Sequence, residues 1–71
     1  MKVTLTGDVE GTIEIADENP RTIPATIAAA IKLKFEEHED VSRDTVWRFV
    51  AQGENTLEFE NDFGHAVTAS L

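Results

Sequence analysis

The sequence predicts a small α+β domain of ββαβββ order, with a single helix packed across a mixed sheet of four to five strands. Apolar and polar residues alternate near both ends of the chain, at Val3 and Leu5 and at Val67, Ala69 and Leu71, which is the period of a half-buried strand. Between residues 23 and 35 the period lengthens to three and four, and Ile23, Ile27, Ala30, Ile31 and Phe35 form one stripe of a helix. Glycine and proline stand singly between these runs, as turns and not as a linker. The 71 residues therefore make one domain, residues 1–71. A helix with one apolar stripe needs one sheet face to cover it.

Each element follows from its own residues. Lys2 to Thr6 places Val3 and Leu5 on one face, and Gly11 to Ala16 does the same with Ile13 and Ile15. The polar, glycine-bounded stretch Gly7-Asp8-Val9-Glu10 joins them as an antiparallel hairpin. Asp17-Glu18-Asn19-Pro20-Arg21 breaks the alternation. Thr22 is placed to cap the helix by accepting from a free first-turn amide. Pro24 sits in that first turn, where no donor is needed, and Ala25, Ala28 and Ala29 add helix propensity. Lys32 and Glu36 are spaced to pair across one turn. Glu36, Glu37, Glu39 and Asp40 oppose the negative end of the helix dipole, so the helix is expected to end near His38.

Ser42 to Ala51 admits two readings. Ser42 could cap a second helix, with Asp44 in its first turn and Gly53 just past its end. Thr45-Val46-Trp47-Arg48-Phe49-Val50 is β-branched or aromatic almost throughout, and the strand reading is preferred on that ground. Trp47, Phe49 and Ala51 would then face the helix, and Val46, Arg48 and Val50 would face out. Gln52 to Asn55 and Asn61 to Gly64 read as turns, and Thr56 to Glu60 and Ala66 to Leu71 as the last two strands.

This order resembles the ubiquitin-like β-grasp family. The residues that carry the resemblance are Leu5-Thr6-Gly7, Thr12-Ile13-Glu14-Ile15, Thr22-Ile23 with Ile27 and Ile31, and Val41-Ser42-Arg43-Asp44 followed by Arg48-Phe49-Val50 and Gly53. The resemblance implies a last strand in the centre of the sheet, parallel to the first, and a β-grasp binding module. The closing residues Ala69-Ser70-Leu71 lack the glycine pair of conjugating and sulfur-carrying members, so neither of those activities is implied.

Fourteen acidic and six basic side chains leave a net charge of −8 at pH 7. Such a surface repels phosphate, which argues against direct nucleic-acid binding. No apolar run approaches the roughly 20 residues that span a bilayer, and residues 1–4 lack the long apolar stretch of a secretory signal, so a cytoplasmic location is expected. Cysteine is absent, which removes disulfide and thiolate chemistry. The acidity fits a solvated surface, adaptation to a salty solvent, or imitation of the phosphate array of DNA. Like-charge repulsion is screened by salt, so added salt is expected to stabilise the fold.

Catalysis and cofactors are not expected. His38 could join Glu37, Glu39 or Asp40 around a divalent metal, but neighbouring helix residues diverge and no second histidine stands four residues away. His65 follows Gly64 and reads as a surface turn residue. Ser42 and Ser70 lack a nucleophile elbow, and the isolated glycines make no phosphate-cradling loop. The expected activity is non-catalytic protein binding through Val46, Arg48 and Val50, since arginine among apolar residues with a polar rim suits an interface. The alternative is an acidic inhibitor that imitates nucleic acid and blocks a partner's basic groove, using Asp8, Glu10, Glu36, Glu37, Glu39, Asp40, Glu58 and Glu60. The expected partner is a protein, and a basic one in the second reading. The chain itself is expected as a monomer or a weak homodimer paired through an exposed edge.

Overall fold

The computed structural model describes residues 1–39 and 45–71, with the side chains of all of these except residues 38 and 39. Two strands, β1 (Lys2–Gly7) and β2 (Gly11–Glu14), precede one helix, α1 (Ile23–Glu39). Three strands follow it: β3 (Trp47–Gln52), β4 (Thr56–Asn61) and β5 (Ala66–Ser70). They form one five-stranded sheet in the order β2-β1-β5-β4-β3, and the helix covers one face of it. The helix ends within a residue of the expected place. The second-helix reading fails where the chain is described, because residues 47–52 are strand; its cap at Ser42 lies outside the described residues.

The last strand does lie beside the first, but antiparallel to it, with Leu5 opposite Ala69 and Gly7 opposite Val67. This corrects the expected parallel pairing, and every strand pair in the sheet is antiparallel. The reason is parity. A helix of 17 residues rises about 25 Å and returns the chain to the end of the sheet where β2 began. β3 therefore runs in the direction of β2. Two tight reversals then give β5 the direction of β3, opposite to β1.

The core lies between the helix and the inner sheet face, where Val3, Leu5, Ile27, Ile31, Phe59 and Val67 are fully buried. The Phe35 ring meets Trp47 edge-on, with centroids 5.5 Å apart. Val9, expected in a polar connection, is buried as well. The alternation of β1 runs past its last ladder residue: Asp8 donates its N–H to the Ala66 carbonyl at 2.9 Å, and its carboxylate accepts the Ala66 N–H at 2.8 Å. Val9 is thereby held on the side of Val3 and Leu5. Gly7 permits this crossing. Its φ is 107°, and a Cβ there would stand 2.6 Å from the Ala66 carbonyl oxygen.

The helix start differs in detail from the expected cap. The Thr22 hydroxyl does not serve the first-turn amides but donates to Asp17 Oδ2 at 2.6 Å, and the Thr26 hydroxyl donates to the same oxygen at 2.9 Å. Asp17 Oδ1 accepts the Asn19 N–H at 2.9 Å. These bonds favour the ionised carboxyl, and the Asp17 pKa lies below its ordinary value, the Thr22 hydroxyl contributing most.

Candidate interaction surface

The entry to β3 is fixed by a chain of polar contacts from the helix. Lys32 Nζ lies 3.1 Å from Glu36 Oε2. The same oxygen accepts the Thr45 N–H at 2.9 Å and the Thr45 hydroxyl at 3.3 Å. Trp47 Nε1 in turn donates to Thr45 Oγ1 at 3.0 Å, so the buried indole has a partner without reaching solvent. The Thr45 amide and the Lys32 ammonium hold the Glu36 pKa below its ordinary value, the amide more strongly. Glu36 thus works inside the fold, with its side chain only 22 % exposed.

β3 itself is an edge strand, and every residue after Trp47 is exposed. Trp47, Arg48 and Phe49 pair with Asn61, Glu60 and Phe59, and a bulge follows: Ala51 pairs with Glu58 and Gln52 with Leu57. Val50 is the extra residue. The bulge moves the alternation by one. It turns Ala51 to the outer face, opposite Glu58, and this corrects the expectation that Ala51 faces the helix together with Trp47 and Phe49. Phe49 keeps the inner side, with its ring centroid 5.7 Å from that of Phe59, yet it is 42 % exposed because nothing flanks an edge strand there among the described residues. Arg48 faces out, opposite Glu60. Val50 is 47 % exposed, and Val46, just before the strand, is 55 % exposed.

The rest of the outer face has no second layer among the described elements and is rich in hydroxyls. Thr12, Thr4, Ser70 and Thr56 lie in one row across β2, β1, β5 and β4. Thr6, Thr68 and Glu58 make the next row, and Ala66, Glu60 and Arg48 another.

Among the described residues the acidic side chains of the alternative surface divide between the β1–β2 connection, the helix and the outer face of the sheet. Glu58 and Glu60 share the outer face of β4, and Glu10 and Glu37 are exposed. Asp8 is tied to Ala66 and Glu36 to Thr45. The side chain of Glu39 and all of Asp40 lie outside the described residues, as does the imidazole of His38, so the candidate metal group around it does too. Among the described residues no cluster of histidine and carboxylate has a metal-binding arrangement.

His65 is not the surface residue the sequence suggests. Its ring is stacked at a tilt on Phe35, with centroids 4.8 Å apart. Asn61, expected in the turn, ends β4 as a buried side chain. Asn61 Oδ1 accepts the N–H groups of Phe63 at 3.0 Å and His65 at 2.8 Å. With its oxygen so engaged, the Asn61 amide nitrogen donates to His65 Nδ1 at 3.0 Å, which places the imidazole proton of the neutral ring on Nε2. Pairing of a polar side chain with its own turn is invisible to hydropathy; an Asn four residues before a His, with Gly between them, is the only signal the sequence offers.

An apolar hollow of about 100 Å³ opens between the helix start and the far end of β3, lined by Pro20, Ile23, Pro24, Gln52, Leu57 and Leu71. That is well below the roughly 300 Å³ at which small-molecule sites begin. No helix among the described residues is long and apolar enough to cross a membrane. Comparison with family models, with curated proteins and with solved structures returned no match.

Proposed function

We propose that this chain is a non-catalytic protein-interaction module whose contact surface is β3, with Val46, Arg48 and Val50 at its centre. The observation that carries this reading is the exposure of β3: an edge strand whose five residues after Trp47 are all accessible, two of them large and apolar. Isolated surface valines are ordinary. Val46, Phe49 and Val50 along one open edge, with an arginine among them, have the composition of an interface centre. The resemblance to the ubiquitin-like β-grasp carries no part of this proposal, because the last strand runs opposite to the direction that family implies.

Glu58 and Glu60, exposed side by side on β4, favour a second reading in which the acidic face fills a partner's basic groove. Salt separates the two. A pull-down from the native host, eluted in salt steps, should lose its partner in Arg48→Ala and Val50→Asp, while in the wild type the apolar contacts hold part of it through high ionic strength. Release of the partner by moderate salt, with both variants still binding, would favour the acidic face instead.

A further inference from the structure

We propose that the partner segment is an extended, cationic peptide that adds to the outer edge of β3 as a sixth strand and seats one aliphatic side chain in the hollow beside Gln52. This rests on the reading of β3 as the contact surface and names the class of partner. An edge strand turns alternate N–H and C=O groups away from its sheet. β3 has no strand neighbour on that side among the described residues, so these groups are available to an added chain.

Register then assigns the partner's side chains. Residues directly opposite each other in a sheet point to the same face. Gln52 pairs with the inward Leu57, so the partner residue opposite Gln52 points to the helix side, where the hollow lies. A volume of about 100 Å³ with apolar walls suits a single aliphatic side chain and not a metabolite. The partner residues on either side of it point to the outer face. Glu58 stands there opposite the small Ala51 and is the carboxylate open to the partner, while Glu60, two residues further along β4, stands opposite Arg48. β4 is about 10 Å from a sixth strand, a gap that a lysine or arginine and a glutamate span together. Glu54, in the turn after β3, and Asp62, whose carboxylate accepts the Val46 N–H at 3.4 Å, place further negative charge at the two ends of the strand. Arg48 is the one charged side chain of β3 itself; against it stand Glu54, Glu58, Glu60 and Asp62 and the net charge of −8, so the field at this edge favours a cation-bearing segment and opposes a second copy of the chain. The partner pattern is therefore basic–aliphatic–basic.

The test is selection of binders from a random dodecapeptide library on the full chain, followed by amide chemical-shift mapping and hydrogen exchange with the selected peptides. Enrichment of alternating basic and aliphatic residues is expected, with shifts at Trp47–Gln52 and Ile23 and slowed exchange of β3 amides. Replacing both Glu58 and Glu60 by lysine, at exposed positions that leave the core intact, should weaken the selected peptide about tenfold or more. Peptides that bind over Val46, Arg48 and Val50 without slowing β3 exchange would overturn strand addition and leave the contact surface standing. Binders that map away from β3, or a library that yields none, would overturn both.

Discussion

The two edges of the sheet are built differently. β2 has four residues, begins at a glycine with φ of 140°, and exposes Gly11, Thr12 and Glu14. β3 has six residues and exposes Phe49 and Val50 besides Arg48, Ala51 and Gln52. A short, polar, charged edge is how folded chains discourage pairing, and a longer apolar edge invites it. The bulge at Val50 moderates that invitation by twisting the strand without removing its exposed side chains. One edge is closed by composition and the other left open, and the difference locates the contact surface without reference to charge.

The comparison breaks outright if the shared core is removed. Phe59 is fully buried and carries Phe49 on one side of its ring. Phe59→Ala should cost about 3–5 kcal/mol, a large part of the stability of a chain this short, and urea unfolding would measure it. Smaller changes separate the halves. Asn61→Ala strands the N–H groups of Phe63 and His65 at the β4–β5 turn, and should cost about 1–3 kcal/mol. The loss should show as faster amide exchange in β4 and β3 than in β2.

Acid acts at both edges through different residues. Asp17 fastens the chain leaving β2, and Glu36 fastens the chain entering β3. Both carboxyls have lowered pKa values in the folded state. A lowered carboxyl contributes stability that is full above its unfolded value and is lost as pH falls through the folded one. The melting temperature should therefore decline as pH passes down through and below the ordinary carboxylate range. Glu36→Gln should flatten the part of that decline that releases β3, and Asp17→Asn the part at the helix start. The weakest effect is that of salt. Self-repulsion from −8 charges is spread over the surface and screened, so a modest rise in melting temperature from low to molar salt is expected, with both edges affected alike.

Most of this comparison was legible in the sequence, and the exceptions have identifiable causes. Alternation and the helical stripe locate four strands and the helix, because each turns one face to the core, whereas β3 is legible only from its β-branched and aromatic composition and buries Trp47 alone. Strand direction is a property of the connections, set by the parity of two tight turns after a crossover helix, and residue alternation carries no trace of it. The bulge escapes hydropathy, since Val50 and Ala51 fit either face. The neighbours of Val9 and Asn61 suggest turn residues, yet Val9 continues the period of β1, and Asn61 is buried because its own turn satisfies its amide. Of the proposed surface, Arg48 and Val50 lie on β3 as expected, Val46 precedes it, and the hollow beside Gln52 depends on packing between Pro20–Pro24 and Leu71 that no local pattern encodes.

The open edge is tested most directly by placing the same charge on each edge in turn. Val50→Asp on β3 and Thr12→Asp on β2 both alter exposed positions, so both variants should keep the wild-type fold. The affinity of each for the partner captured from the host, read by calorimetry, should fall sharply for Val50→Asp and remain at the wild-type value for Thr12→Asp. Equal losses, or a loss confined to Thr12→Asp, would contradict the assignment of β3 as the contact edge.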